Sequence, residues 1–485
     1  MTHSDDLPVI IQGGMGAAVS DWRLANAVAR TGQLGVVSGT VLDTVFVRRL
    51  QDGDPDGHMR RAMDEFPWRR TVEDALRRFF RPGGRGRGAP YRLLPLPKRV
   101  VDPAGQALNV LAAFVEVRLA REGHRSPIGI NLLSKVQIPT IPTLYGAMLA
   151  GATYVLMGAG IPREIPAVLD RLSGHRSAEL RLDVEGAPPG ADDRIMFDPS
   201  AWWEAPPPDL ERPRFLPIVA SNSLATMFAR KTNGVDGLIV EGPTAGGHNA
   251  PPRGEARHNA RGEPVYGEKD AVDLTRIRDL GLPFWTAGGC GHPEALSEAQ
   301  AAGATGVQVG TLFAFCDESG LSAAVKRSVL AQASTGDVDV RTEARASPTG
   351  YPFKMVQQVA GTEARGRRRV CDLGYLRTAF RTADGETDFR CPAEPVAAFV
   401  RKGGRLEDAV GRRCLCNGLL AAIGQEQVRG PGSVEAPIVT GGDDVARLGE
   451  FLRGRARYSA ADVVSYLTTK SLRSQDHPQG DSHSG

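Results

Sequence analysis

The stretch Gly237-Leu-Ile-Val-Glu-Gly-Pro-Thr-Ala-Gly-Gly-His248 joins a short apolar run to a glycine-rich break. Leu238 to Val240 has the pattern of a strand buried on both faces of a parallel sheet. From Glu241 onward, glycines let the backbone turn sharply and come close to a bound ring or phosphate. The loop delivers His248 just past the carboxyl end of the strand, the end at which parallel α/β folds bind ligands. On this stretch alone, a plain βα turn with a surface histidine reads equally well. The decision rests on whether the same break recurs.

It does recur. Leu7–Gln12 reads as a buried strand followed by Gly13-Gly-Met-Gly16, and Ser20 or Asp21 can cap a helix running to Gly32. Leu34–Ser38 is the next strand, so the chain opens with a βαβ unit and a parallel sheet. Pro127–Asn131, Tyr154–Met157, Phe215–Val219, Pro283–Ala287 and Gly306–Val309 repeat the pattern, each ending in a polar or glycine-rich break. With Leu238–Val240 these make about eight strand–helix units, the number that closes a TIM (β/α)8 barrel. An open doubly wound sheet is the competitor. Against it, no Gly-x-Gly-x-x-Gly follows the first strand with an acidic residue about twenty positions on.

Two departures from the rhythm are expected, together with a smaller C-terminal region. Residues 40–125 are too long for one crossover and read as a helical insertion, with a flexible basic link at Arg81–Pro90. That link has no interleaved aromatics and reads as a solvated loop, not a nucleic-acid contact. Residues 174–213 are Pro-rich and charged, an excursion with little regular structure expected. The barrel with these additions spans 1–345, a cysteine-containing region 346–472, and a disordered tail 473–485.

The 485 residues carry a net charge of +3, too near balance to argue for a nucleic-acid partner. No run of eighteen apolar residues suggests a membrane span, and the polar, acidic start does not resemble a secretion signal. Six cysteines in so long a chain do not make a disulfide scaffold, and a reducing cytoplasm is the simplest location.

Gly288-Gly-Cys-Gly291 and Gly310-Thr311 follow the last two strands, the loops that in barrels commonly hold a phosphate through backbone N–H groups. Gln12, Asn131 and Gln308 are amides at strand ends, able to donate and accept along the edge of a planar ring. Ile11-Gln-Gly-Gly-Met15, Gly129-Ile-Asn131-Leu-Leu, Glu241–His248, Ala287-Gly-Gly-Cys-Gly and Gly306-Val-Gln-Val-Gly-Thr-Leu-Phe together resemble the nitronate monooxygenase family. That family, formerly called 2-nitropropane dioxygenases, is similar to the FMN-dependent enoyl-acyl-carrier reductases. The resemblance spans roughly 8–335 and implies a barrel holding non-covalent FMN. It places Gln12, Gly13, Gly14 and Met15 against the flavin and Asn131 at its ring edge. It places Gly246 and Gly247 near the ribityl chain or phosphate, and Gly288, Gly289, Gly310 and Thr311 at the phosphate. His248 becomes the catalytic imidazole, a group able to move protons near neutrality.

The chain departs from the family pattern in two places. Glu241 stands where members often carry Gln, and the loop Asn249–Gly267 is long enough to be a lid or a surface excursion. The first expectation is oxidation of alkyl nitronates with O2, with Lys354 a candidate cation for the anionic substrate. The alternatives are an NAD(P)H-dependent enoyl-thioester reductase in fatty-acid or polyketide synthesis, and a flavin-binding scaffold component without catalysis. A homodimer is left open.

Cys371, Cys391, Cys414 and Cys416 could gather around zinc or an iron–sulfur cluster, but their spacing matches no paired C-x-x-C ribbon. Unliganded buried thiols are the expected state. Cys316 invites comparison with a nucleophile, but its apolar setting reads as packing.

Overall fold

The computed structural model describes residues 7–86, 88–99, 102–359, 368–430 and 435–469. The tail 473–485 lies outside them. Eight strands form one parallel sheet. In chain order they are β1 Ile10–Gln12, β2 Gly35–Ser38, β3 Ile128–Leu133, β4 Tyr154–Gly158, β5 Arg214–Val219, β6 Leu238–Glu241, β7 Phe284–Ala287 and β8 Gly306–Val309. Each pairs with its neighbour in sequence, and β1 pairs with β8 through Ile10↔Val307 and Gln12↔Val309. A bridge between Ile11 and Leu34, with Gln12 N–H donating to the Leu34 carbonyl at 3.0 Å, joins β1 to β2. The ring is closed, as the count of strand–helix units predicts.

Alternate strand residues face inward, because side chains in a strand switch sides at every step. Ile11, Val36, Leu156, Leu216, Ile239 and Trp285 fill the interior, and the Trp285 indole donates to the Pro8 carbonyl at 2.7 Å. The intervening residues of the same strands, such as Ile10, Val37, Val155 and Val307, join the layer packed against the helices. Glycine fixes one seam. A β-carbon on Gly306 would lie 1.9 Å from the Val9 carbonyl oxygen. Gly306→Ala is therefore expected to lower stability by about 3 kcal/mol or more, measured by chemical denaturation. An unchanged midpoint would mean the seam relaxes freely.

The insertion is helical: α1 is Trp22–Ala29, and after β2 follow α2 Leu42–Gln51, α3 His58–Met63, α4 Arg69–Phe79 and α5 Pro103–Ala120. The basic link between α4 and α5 is tied down. Arg85 donates to Asp52 at 2.9 Å and stacks on the Tyr91 ring, so the expected flexible loop is docked on the end of α2.

The excursion also differs from expectation. Ala178–Arg181 and Arg194–Phe197 pair as an antiparallel ribbon, and Val184–Glu185 joins a strand from the C-terminal region, Thr378–Arg381. Ala178 and Leu180 are buried while Glu179 and Arg181 are exposed, an alternation hidden among the flanking prolines.

The C-terminal region covers the mouth of the barrel. Phe353–Val356 pairs antiparallel with Gly247–His248 on one side and Val340–Glu343 on the other. Val41 and Val136 from the barrel loops and Val45 of α2 pack with Phe353, Tyr375 and Leu415 in one apolar cluster. Helix Ala460–Thr468 packs against α1, with the preceding Tyr458 donating its hydroxyl to the Leu312 carbonyl at 2.6 Å. No described helix is long and apolar enough to cross a membrane.

Candidate functional site

The carboxyl ends of the strands converge on a cavity with about 1450 Å³ of empty space, open to solvent. Gly13, Gly14 and Met15 after β1, Asn131 of β3, and Glu241, Gly246, Gly247 and His248 from the β6 loop all line it. So do Gly288 and Gly289 after β7, Gln308 of β8, and Gly310 and Thr311 beyond it. The site residues expected from sequence thus stand around one space, with one exception.

The exception is Gln12. Ile11 faces the interior, so its neighbour Gln12 faces out, where it is wholly buried. Its amide nitrogen donates to the Ser20 hydroxyl at 2.8 Å, and its oxygen accepts from Val36 N–H at 3.0 Å. Gln12 does not reach the cavity. It fixes the β1 loop against β2.

Register explains the polar row at the mouth. Ala287 stands beside Glu241 on one side and Gln308 on the other, and Gln308 is level with inward-facing Ile11. The Asn131 amide nitrogen donates to the Gly14 carbonyl at 3.0 Å. Its oxygen, and the oxygen of Gln308, are buried with no hydrogen-bond partner among the described residues. Leaving such groups unpaired costs about 1–3 kcal/mol each, so they are poised for a polar ligand.

Electrostatics single out two groups. Burial pushes the Glu241 carboxyl up to about 7 and holds His248 down at about 4. The imidazole is therefore neutral at physiological pH, unlike the near-neutral titration expected from its type. Its Nε2 lies 2.7 Å from the Ser347 hydroxyl, which in turn lies 2.8 Å from Thr349 Oγ1. Phe353 packs against the ring edge-on at 4.8 Å, and the short pairing with Phe353–Val356 fixes the backbone.

The glycine loops present backbone to the cavity. Gly288 adopts φ +87°, and a β-carbon there would sit 2.9 Å from Thr244 Oγ1 and 3.0 Å from Ala245 N. Thr311 Oγ1 accepts from Gly442 N–H at 3.0 Å, which leaves its own proton to donate. Asp444 Oδ2 accepts from Gly291 N–H at 3.1 Å, so Gly291 is already engaged.

Lys354, the candidate cation, is in register with Gly247 and donates to Asp443 Oδ1 at 2.6 Å, its side chain only 8% exposed. It is held away from the cavity wall. Among the described residues, that wall carries no Lys or Arg, while Glu241 and Asp444 both belong to it. Cys316 is fully buried, and burial pushes its thiol far above the ordinary value, which removes it as a nucleophile.

The roof consists of residues that the strand-end reading did not single out. Phe353, Tyr375, Leu376, Leu415, Cys416, Leu419, Thr440 and Asp444 all line the cavity from the C-terminal region. One signal was available: Ile438-Val-Thr-Gly-Gly442 repeats the apolar-run-then-glycine break of the barrel strands.

Residues 210–352 match the family model for nitronate monooxygenase, a segment running from β5 through His248 and Ser347. In this segment the chain is similar to the nitronate monooxygenases. A probable nitronate monooxygenase of Staphylococcus haemolyticus is 32% identical over 122 residues, 25% of this chain and 33% of the relative. A Mycobacterium tuberculosis protein named as a monooxygenase is 31% identical over 200 residues, 40% of this chain and 48% of the relative. The chain therefore spans about a third to a half of the length of these curated relatives. The solved nitroalkane oxidase from Streptomyces ansochromogenes is 17% identical, covers 95% of this chain and 94% of its own, and has a TM-score of 0.43. The nitronate monooxygenase match contains the histidine loop and both glycine loops after β7 and β8.

Proposed function

We propose that the chain is an FMN-dependent oxidoreductase of the nitronate monooxygenase type, acting on a small molecule with O2 or NAD(P)H as co-substrate. One observation supports this most: Asn131 and Gln308, whose amide oxygens have no partner among the described residues, line the same cavity as the glycine-built loops after β7 and β8. A planar ring with polar edges and a phosphate tail fits that donor set. Asn131, Gln308, Gly14 and Met15 would hold the ring, and Gly246, Gly247, Gly288, Gly289, Gly310 and Thr311 the ribityl chain and phosphate. Bound FMN would supply electron transfer between substrate and co-substrate.

The protein's own part is positioning and proton control. The neutral His248 imidazole, aligned by Ser347, offers one ring nitrogen to hold or pass a proton at the substrate. The C-terminal roof narrows the mouth, and a ligand filling the cavity beneath it would displace water and strengthen each polar contact inside.

For the substrate, the names of the matched relatives support a nitronate oxidised with O2. The charge of the wall favours a second reading. A site with two carboxyl groups and no cation in its wall suits a neutral acceptor, such as an enoyl thioester reduced with NAD(P)H. The test is a visible spectrum of the purified protein, followed by mixing with NADPH without oxygen and with an alkyl nitronate in air. Flavin absorbance is expected. Bleaching by NADPH selects the reductase reading, and turnover of nitronate without NADPH the oxidative one. A folded, colourless protein that refuses added FMN would end both.

A further inference from the structure

Cys371, Cys391, Cys414 and Cys416 come from separate stretches of the C-terminal region, yet all four border one small enclosed space beside Pro348 and Leu373. None forms a disulfide. Within the group, Cys371 and Cys391 hydrogen-bond to each other. They are unequal partners: Cys371 is half-buried, whereas Cys391 is buried. The bond from Cys391 lowers the Cys371 thiol most, with burial opposing and Arg377 assisting. The same bond, and then burial, push Cys391 well above the ordinary value. A half-buried thiol whose ionisation is favoured, beside a buried thiol bordering the same space, is the arrangement of an attacking and a resolving cysteine.

We propose that Cys371 and Cys391 form a redox-active dithiol that hydrogen peroxide converts to a disulfide. The Cys371 thiolate attacks one peroxide oxygen and the O–O bond breaks, giving a sulfenic acid and hydroxide. Cys391 surrenders its proton to that hydroxide, forming water. Its sulfur then attacks the Cys371 sulfur, the S–O bond breaks, and a second hydroxide leaves. The two sulfurs lose two electrons and the peroxide gains them. Among the described residues no three His, Cys, Asp or Glu side chains are disposed to hold a metal ion, so the pair carries the inference and not the foursome.

The bond would act on the cavity. Tyr375 and Leu376 lie between the two cysteines, and both line the large cavity under the roof. Cross-linking the ends of this segment restricts the conformations open to it. The inference stands apart from the choice of substrate and from flavin binding.

The full-length protein is treated with stoichiometric peroxide, alkylated and mapped by peptide mass spectrometry. The expected result is a Cys371–Cys391 cross-linked peptide and loss of two of the six thiols, restored by dithiothreitol. In Cys391→Ser the cross-link should vanish and dimedone should trap Cys371. Mapping of the unmutated protein decides the matter even if that variant misfolds. A Cys414–Cys416 cross-link in its place would overturn the proposal. So would survival of all thiols under peroxide, or zinc or iron in the purified protein shielding all four.

Discussion

His248→Asn is expected to leave the protein folded and able to take up FMN while turnover falls by about 10²-fold or more. The asparagine amide can still reach toward Ser347, but it cannot pass a proton as an imidazole does. The backbone of residue 248 is held by Phe353 across the strand pair, not by its side chain, so the loop should keep its shape. Because burial holds the imidazole near 4, its working form is neutral, and turnover should not fall between pH 6 and 8 through loss of a histidine charge. Steady-state rates alongside flavin titrations separate binding from chemistry. Full activity in the variant would remove His248 from the mechanism.

Glu241→Gln should raise stability at pH 8 by about 3 kcal/mol and change it little at pH 5. The sign follows from burial. The folded carboxyl titrates at about 7 against an ordinary 4.5, so protons bind the folded state more tightly than the unfolded one. The stability it contributes is fully present below about pH 4.5 and is lost as the pH rises through 7. Glutamine removes that loss. His248 works oppositely: its depressed value contributes stability above about pH 6.5 that is lost as the pH falls toward 4, and it is unchanged in this variant. Denaturation midpoints at the two pH values are the measurement. Equal differences at both would mean that Glu241 is solvated or paired in solution.

All eight barrel strands were legible because each is an apolar run ended by glycine or a polar residue, and period-two alternation then places Asn131, Glu241 and Gln308 on the inward face. The same rule, applied one residue off, misplaces Gln12: a strand-end amide looks alike on either face until the register is known. The alternation in Ala178–Arg181 was legible too, but the prolines around it concealed the ribbon. The environment of Glu241 was not legible, since desolvation depends on what packs above it. Residues more than a hundred positions later, such as Tyr375 and Thr440, line the same cavity, and no local pattern reports such neighbours.

The seam between β1 and β8 sets a timetable for synthesis. Ile10–Gln12 can meet Leu34 early, but its other edge finds Val307–Val309 only after nearly the whole barrel has been made. At roughly 5–20 residues per second, that edge stays bare for about 15–60 s on the ribosome. During that time the first strand is an adhesive ribbon open to any stray strand. Chaperone demand during translation should therefore concentrate at the amino-terminal end, and slower elongation should lower the yield of closed barrels.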